Sequence, residues 1–206
     1  MENLNTDWAY LEKFRRENEQ LKSLRDKNRV VFIGDSIIAG WKEQSLFREN
    51  LHFINRGING QTSSQILHRF QADVLDLQPK IVVVLVGTND IAENNGQITL
   101  LEIQNNFRSM IKVAIGNGIP IVLCSLLPVS EYYWNKKIKP FEKINLLNCF
   151  LKSQSTEKDI FFVDYYTLLT ENKVMNSKYS NDGVHPNNIG YDIMSTRLSR
   201  LLTEIL

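Results

Sequence analysis

Apolar positions along the chain follow two different periods, and their alternation predicts a fold before any single residue is considered. Val30 to Ile33 and Ile81 to Val86 are unbroken apolar runs rich in β-branched side chains, the pattern of strands covered on both faces. Leu51 to Asn55, Pro120 to Leu126 and Ile160 to Asp164 read as three further strands. Between them the period lengthens to that of a helix. Ile66, Leu67, Phe70, Val74 and Leu77 share one face behind a cap at Thr62 or Ser63, and Pro79 ends that run. Residues 99–116 repeat the pattern and close at Gly116-Asn117-Gly118. Helices are also expected over 141–156 and 188–204. Another over residues 5–25 carries Tyr10, Phe14, Leu21 and Leu24 on one face and should pack on the outside of the sheet. Residues 128–140 read as irregular and aromatic, and those from 165 to 179 as a loop.

Five alternations of strand and helix, with connections long enough for parallel crossovers, predict an α/β protein. The expected form is a three-layer α/β/α sandwich, flavodoxin-like, around a five-stranded parallel sheet in the order 2-1-3-4-5. Repeats and linker-like stretches are missing, so residues 1–206 are expected to form one domain, with 1–27 as its opening helical segment. Composition narrows the class further. The 206 residues, 43% of them apolar, suffice for one core. Lys and Arg number 24 against 23 Asp and Glu, a net charge of +1, which offers no field for nucleic acid. Apolar runs fall far short of the roughly 20 residues needed to span a bilayer. A soluble chain is expected, with no membrane span. Met1 to Tyr10 lacks the basic-then-apolar pattern of a secretory leader, so a cytoplasmic location is expected, or a periplasmic or secreted one if a leader was removed. Cys124 and Cys149 both lie in apolar runs and read as two buried free thiols.

Three strand ends carry polar residues for which a core has no use: Gly34-Asp35-Ser36, Gly57-Ile58-Asn59-Gly60 and Gly87-Thr88-Asn89-Asp90. In a parallel sheet all three open on one edge. Ser36 alone reads as well for a helix cap as for a nucleophile. Further along, Asp182 precedes His185 by three residues, a spacing that lets the carboxylate reach Nδ1 and leaves Nε2 free. Together these are the parts acyl transfer requires: Ser36 as nucleophile, His185 as base, Asp182 to fix the tautomer. The backbone N–H groups of Ser36 and Gly60 and the Asn89 amide would then receive the oxyanion.

Those four blocks, in this order and at these strand ends, resemble the SGNH (GDSL) hydrolase family over nearly the whole chain. The Asn55-Arg56-Gly57-Ile58 loop and the Leu126-Leu127-Pro128 turn look most like bacterial acetylesterases of the platelet-activating-factor acetylhydrolase type. The resemblance implies the flavodoxin-like fold and ester hydrolysis through an acyl-serine without metal or cofactor. It also implies the roles just given for Ser36, Gly60, Asn89, Asp182 and His185. A small acyl group, acetyl on a carbohydrate, is the expected substrate, so the partner is a small-molecule or glycan ester. Ile37 and Ile38 depart from the longer family form, in which a hydroxyl residue often follows the serine; this bears on substrate contacts and not on the triad.

Simpler readings compete at several positions. Asp35 reads as an acid binding nearby amides, although its place beside Ser36 also makes it a candidate for the substrate pocket with Trp41 and Trp134. Asp90 reads as a helix or turn cap, and His52 and His68 as surface residues without an acidic partner. Asp182 with His185 also reads as half of a metal site, but the chain has no second His-rich cluster to complete one. Lysophospholipase or thioesterase chemistry fits the same residues. In another class, a non-catalytic flavodoxin-like module would hold a flavin phosphate on the Ser36 loop.

Overall fold

Val30–Gly34 (β1) and Ile81–Leu85 (β3) are buried at every position and lie side by side at the centre of the sheet, as two-sided apolar runs require. The computed structural model describes residues 7–24 and 26–206. In chain order these form helix α1 (Arg15–Leu24), β1, α2 (Ser36–Trp41), α3 (Ser45–Arg48), β2 (Phe53–Gly57), α4 (Ser63–Asp73), β3 and α5 (Thr88–Ile91). There follow α6 (Leu100–Gly116), β4 (Ile121–Cys124), α7 (Phe141–Gln154), β5 (Ile160–Val163), α8 (Tyr165–Leu169), the short strands β6 (Thr170–Glu171) and β7 (Val174–Met175), and α9 (Asn188–Ile205). Five strands pair in parallel in the order β2-β1-β3-β4-β5, as expected.

Two cores, one on each face, make the three layers. Val31 and Ile33 point to the side filled by Ile66 and Phe70 of α4, Phe107 and Met110 of α6, and Leu147 and Leu151 of α7. Val30 and Phe32 point to the other, against Ile38 and Trp41 of α2 and Met194 and Leu198 of α9. The chain leaves β1 for a neighbour on one side (β2) and later returns on the other (β3). A crevice therefore opens at the carboxyl end of β1, where Ser36 stands.

Several sequence expectations change. Strand β2 begins at Phe53 and runs to Gly57, because Leu51 and His52 are exposed while Arg56 and Gly57 are buried and paired with β1. The loop expected from 165 to 179 contains α8 and the antiparallel pair β6-β7. Cys149 is exposed, since it lies on the face of α7 away from Ile144, Leu147 and Leu151; Cys124 is buried as expected. Of the helix expected over 5–25, residues 5, 6 and 25 lie outside the described residues, residues 7–10 form a turn, and the helical part begins as a 3-10 turn at Leu11. Its only buried residue from Arg15 onward is polar, Asn18. Tyr10 and Leu24 are exposed while Phe14 and Leu21 are half-buried, Leu21 against the core, so the expected apolar face is partly used and hydrogen bonds from Asn18 and Lys22 share in docking α1. No helix among the described residues is long and apolar enough to cross a membrane.

Gly57 sets how closely α2 can lie over the sheet. A Cβ built there would stand 2.1 Å from the Ala39 backbone nitrogen and 2.6 Å from its Cα. Asn55 fastens the same contact: its Nδ2 donates to the Ile38 carbonyl at 2.6 Å and its Oδ1 accepts from Gly57 N–H at 2.9 Å. Gly57→Ala is expected to destabilise the protein by about 3 kcal/mol or more, the upper end of overpacking costs, measured by chemical denaturation. An unchanged midpoint would mean that α2 can lift from the sheet at no cost.

Candidate active site

Ser36 opens α2 immediately after β1, and Asp35 caps that helix by accepting the Ile37 N–H at 2.9 Å. The Asp35 side chain is thus occupied with its own turn, as the simpler reading expected. It is fully buried, outside the pocket, and its Oδ2 has no hydrogen-bond partner. Burial raises its carboxyl from the usual 3.8 to about 7, the Ile37 N–H opposes that rise, and the nearby Asp90 charge adds to it.

The segment before α9 brings the base to the serine. Asp182 Oδ1 accepts from the backbone N–H of Val184 at 2.9 Å and of His185 at 2.8 Å, and from Ser180 Oγ at 3.2 Å. Gly183, at φ +77°, allows the tight turn. Asp182 Oδ2 then lies 2.7 Å from His185 Nδ1. Partial burial alone would raise this carboxyl, but hydrogen bonds from the His185 ring and the two backbone N–H groups outweigh it and bring it down to about 2. A carboxylate only accepts, so Nδ1 carries the ring proton and Nε2 presents its lone pair. Nε2 stands 3.0 Å from Ser36 Oγ. This serine, imidazole and carboxylate in series can move a proton off the hydroxyl.

The pocket beside Ser36 has a volume of about 680 Å³, and Gly60, Asn89, Tyr133, Trp134 and His185 are among its walls. Gly60 adopts φ +75°. Neither its backbone N–H nor that of Ser36 has an intramolecular acceptor among the described residues. Asn89 Nδ2 donates one hydrogen to the Gln61 carbonyl at 3.1 Å. Its second hydrogen is left for the pocket. Every residue the sequence proposed for nucleophile, base, orienter and oxyanion donors thus lies around one crevice. A larger groove, about 760 Å³, runs between α3 and α9 and contains none of them.

Three expectations fail here, two of them because aromatic or polar side chains found other partners. Trp41, expected as a pocket wall, is fully buried against Phe32, Tyr165 and Tyr191, and its indole N–H donates to Ser195 Oγ at 2.9 Å. Asp35 is likewise not a pocket residue, because its turn and the core enclose it. His52, expected without an acidic partner, sits 2.9 Å from Asp26 on the surface. Asp90 does act as a cap, but for another helix. It accepts from Ser63 N–H at 2.8 Å and Ser63 Oγ at 2.5 Å, at the start of α4, and burial raises its carboxyl to about 6 against the pull of the Ser63 bonds.

Sequence reading overlooked the buried cation behind these loops. Arg69 of α4 donates to the carbonyls of Gly34 (3.1 Å) and Arg56 (2.6 Å), to Gln61 Oε1 (2.6 Å) and to Asp73 (2.6 Å). Arg56, also fully buried, reaches Asn18 of α1 at 2.7 Å, and Asn18 reaches Asp73 at 2.6 Å. The available signal was an Arg and an Asp four residues apart on the apolar face of α4, beside Ile66 and Phe70.

Residues 32–193 match the family model described as GDSL-like Lipase/Acylhydrolase family. A GDSL-like lipase from Bacteroides thetaiotaomicron has a similar structure, with a TM-score of 0.91 and 39% identity over 96% of this chain and 99% of that one. Among curated proteins, an uncharacterized lipoprotein of Bacillus subtilis is 36% identical over 87 residues, covering 41% of this chain and 36% of that protein. Subunit alpha1 of platelet-activating factor acetylhydrolase IB from Rattus norvegicus is 33% identical over 100 residues, 44% of this chain and 43% of the subunit. The chain therefore spans less than half the length of the curated relatives it matches.

The Asp35 carboxyl makes the site's turn sensitive to pH. Between about 4 and 7 the folded protein keeps a proton there that the unfolded chain releases, so this group lowers stability as pH rises through that window. Asp35→Asn removes the titration. Relative to the parent protein, the variant is expected to gain melting temperature at pH 8 compared with pH 5. A difference that stays constant across this range would place the proton elsewhere.

Proposed function

The chain belongs to the GDSL-like lipase/acylhydrolase family, and on that premise we propose that it is a serine esterase releasing short acyl groups, acetyl foremost, from carbohydrate alcohols. One observation carries the reading: the continuous contact from Asp182 Oδ2 through the His185 ring to Ser36 Oγ, at 2.7 and 3.0 Å. Ser36 Oγ attacks the ester carbonyl carbon while its proton passes to His185 Nε2. The C=O electrons move onto oxygen, and that oxyanion is received by the N–H groups of Ser36 and Gly60 and by Asn89 Nδ2. Collapse expels the alcohol, which takes the proton back from Nε2. Water then repeats the sequence on the acyl-serine and frees the acid. Asp182, held ionised by its donors, stabilises the imidazolium in both halves.

The pocket supports the substrate class. Among the described residues Ala92 is the only aliphatic side chain in its walls, which also carry Asn59, Glu93, Asn94 and Asn135 beside the two aromatics and the site residues. Tyr133 and Trp134 are 58% and 40% exposed there. Hydroxyl-rich rings, with apolar faces and polar edges, suit such a surface; a long acyl chain has nothing to lie along. This argues against a lysophospholipase. A flavin-holding module would leave the Asp182–His185 pair without a task. Acetyl is also the group named for the platelet-activating factor acetylhydrolase relative.

Ser36→Ala should abolish turnover of p-nitrophenyl acetate while melting within a few degrees of the parent; residual turnover at parental rate would remove Ser36 from the mechanism. Asn89→Ala should lower kcat by about 10² to 10³, the loss typical of one oxyanion donor. Across a series of p-nitrophenyl esters, kcat/KM should stay level or fall from acetyl to decanoyl, since the pocket gives extra methylenes no transfer energy. A rising series would overturn the short-acyl assignment.

A further inference from the structure

Asn89 is not oriented by its own loop alone. Its Oδ1 accepts from Asn94 Nδ2 at 2.7 Å, and Asn94 Oδ1 accepts from the indole N–H of Trp134 at 2.7 Å. With the Asn89 bond to the Gln61 carbonyl, this makes a chain of three hydrogen bonds, Trp134 to Asn94 to Asn89 to Gln61. Carboxamide groups can in principle be placed either way round, but this chain has a fixed direction. The indole only donates and the peptide carbonyl only accepts, so both amides between them must point the same way. Nδ2 of Asn89 is thereby kept on the Gln61 side, where its second hydrogen is available to the pocket.

We infer that Trp134, through Asn94, is a positioning residue that holds the Asn89 amide with its donor end toward the reacting carbonyl. The inference rests on Asn89 being an oxyanion donor, as proposed above. The segment carrying Trp134 is built for this. Tyr132 is fully buried with its hydroxyl 3.0 Å from Thr88 Oγ1, and Asn135 Nδ2 donates to the Ala92 carbonyl at 2.9 Å. Asn94 N–H closes the turn onto the Asn89 carbonyl at 3.0 Å. Residues 132 and 135 thus clamp the aromatic segment onto α5 and the turn after it, and Trp134 between them reaches Asn94. The same indole forms part of the pocket wall, so the side chain that meets the alcohol also sets the polarity of the oxyanion donor.

Two substitutions address the chain from different ends. Trp134→Phe keeps an aromatic wall and removes the terminal donor, and a lost neutral hydrogen bond of this kind corresponds to roughly a three- to tenfold change. Asn94→Asp places a carboxylate oxygen against Asn89 Oδ1, so the Asn89 amide must either face a like oxygen there or turn its own oxygen toward the Gln61 carbonyl. With p-nitrophenyl acetate, Trp134→Phe is expected to lower kcat about three- to tenfold and Asn94→Asp by about 10² or more, with KM changed less than about twofold and melting temperatures near the parent's. In an Asn89→Ala background both should have no further effect on kcat, because the group they orient is gone. The same fold-loss in both backgrounds, or a change confined to KM, would overturn the inference and leave Trp134 as a substrate contact only. Full kcat in Asn89→Ala alone would sink the oxyanion reading of Asn89 first, and this inference with it.

Discussion

One buried guanidinium holds the floor of the site together. Arg69 ties the last carbonyl of β1, a carbonyl of β2 and the side chain of Gln61, which adjoins Gly60. The Gly34 carbonyl also accepts the Ile58 N–H at 3.0 Å, so the guanidinium adds a second donor there, where buried carbonyl oxygens short of donors are costly. A planar cation with five fixed N–H vectors satisfies several at once and fixes their spacing. Its charge is matched by Asp73, buried on the same helix. Such a pair contributes little net stability against an apolar replacement, while loss of one member strands the other's charge. Its value here lies in geometry: the turn bearing Ser36 and the turn bearing Gly60 hang from the same rigid fork.

The outer part of this network reaches the amino-terminal segment. Arg56 and Asn18 connect α1 to Asp73, and Gln61 Nε2 donates to the Ala9 carbonyl at 2.8 Å. A segment that looks peripheral in the layer diagram is therefore bonded to the same residues that support the pocket. On the other face, Tyr191 of α9 donates to the Ile37 carbonyl at 2.9 Å, tying the helix that begins at Ser36 to the helix that follows His185. The site is braced from both layers.

The periodic elements were legible in the chain and the short ones were not. Strands β1 and β3 and helices α4 and α6 carry enough buried positions to declare their period, and their observed limits lie within one or two residues of those expected, apart from the last turn of α4, which continues as a 3-10 turn over Leu75–Leu77. Helices α3, α5 and α8 span four or five residues, too few to show a 3.6-residue repeat. At the site, the residues proposed for chemistry stood out because Gly, Ser, Asn and Asp at strand ends, and an Asp and a His three residues apart before the last helix, have no packing purpose there. Supporting residues were hidden for the opposite reason: Arg69 and Asp73 sit inside an apolar stripe, and Asn94 and Gln61 resemble ordinary loop residues until their partners are known. Trp41 shows the limit of composition, since a large aromatic near a motif is drawn to whatever surface buries it best, and here that was the core.

The contact between Ser36 and His185 closes a separation of 149 residues. Nearly all the sheet lies within that span, so the contact exists only after every crossover has been made. Ser36, Gly60 and Asn89 follow β1, β2 and β3, whereas His185 follows all five parallel strands. The turn before α9 thus brings the base to a crevice that the ends of the first three strands border. Because a domain folds as a unit, the proton relay is a property of the finished fold and of no smaller part of the chain.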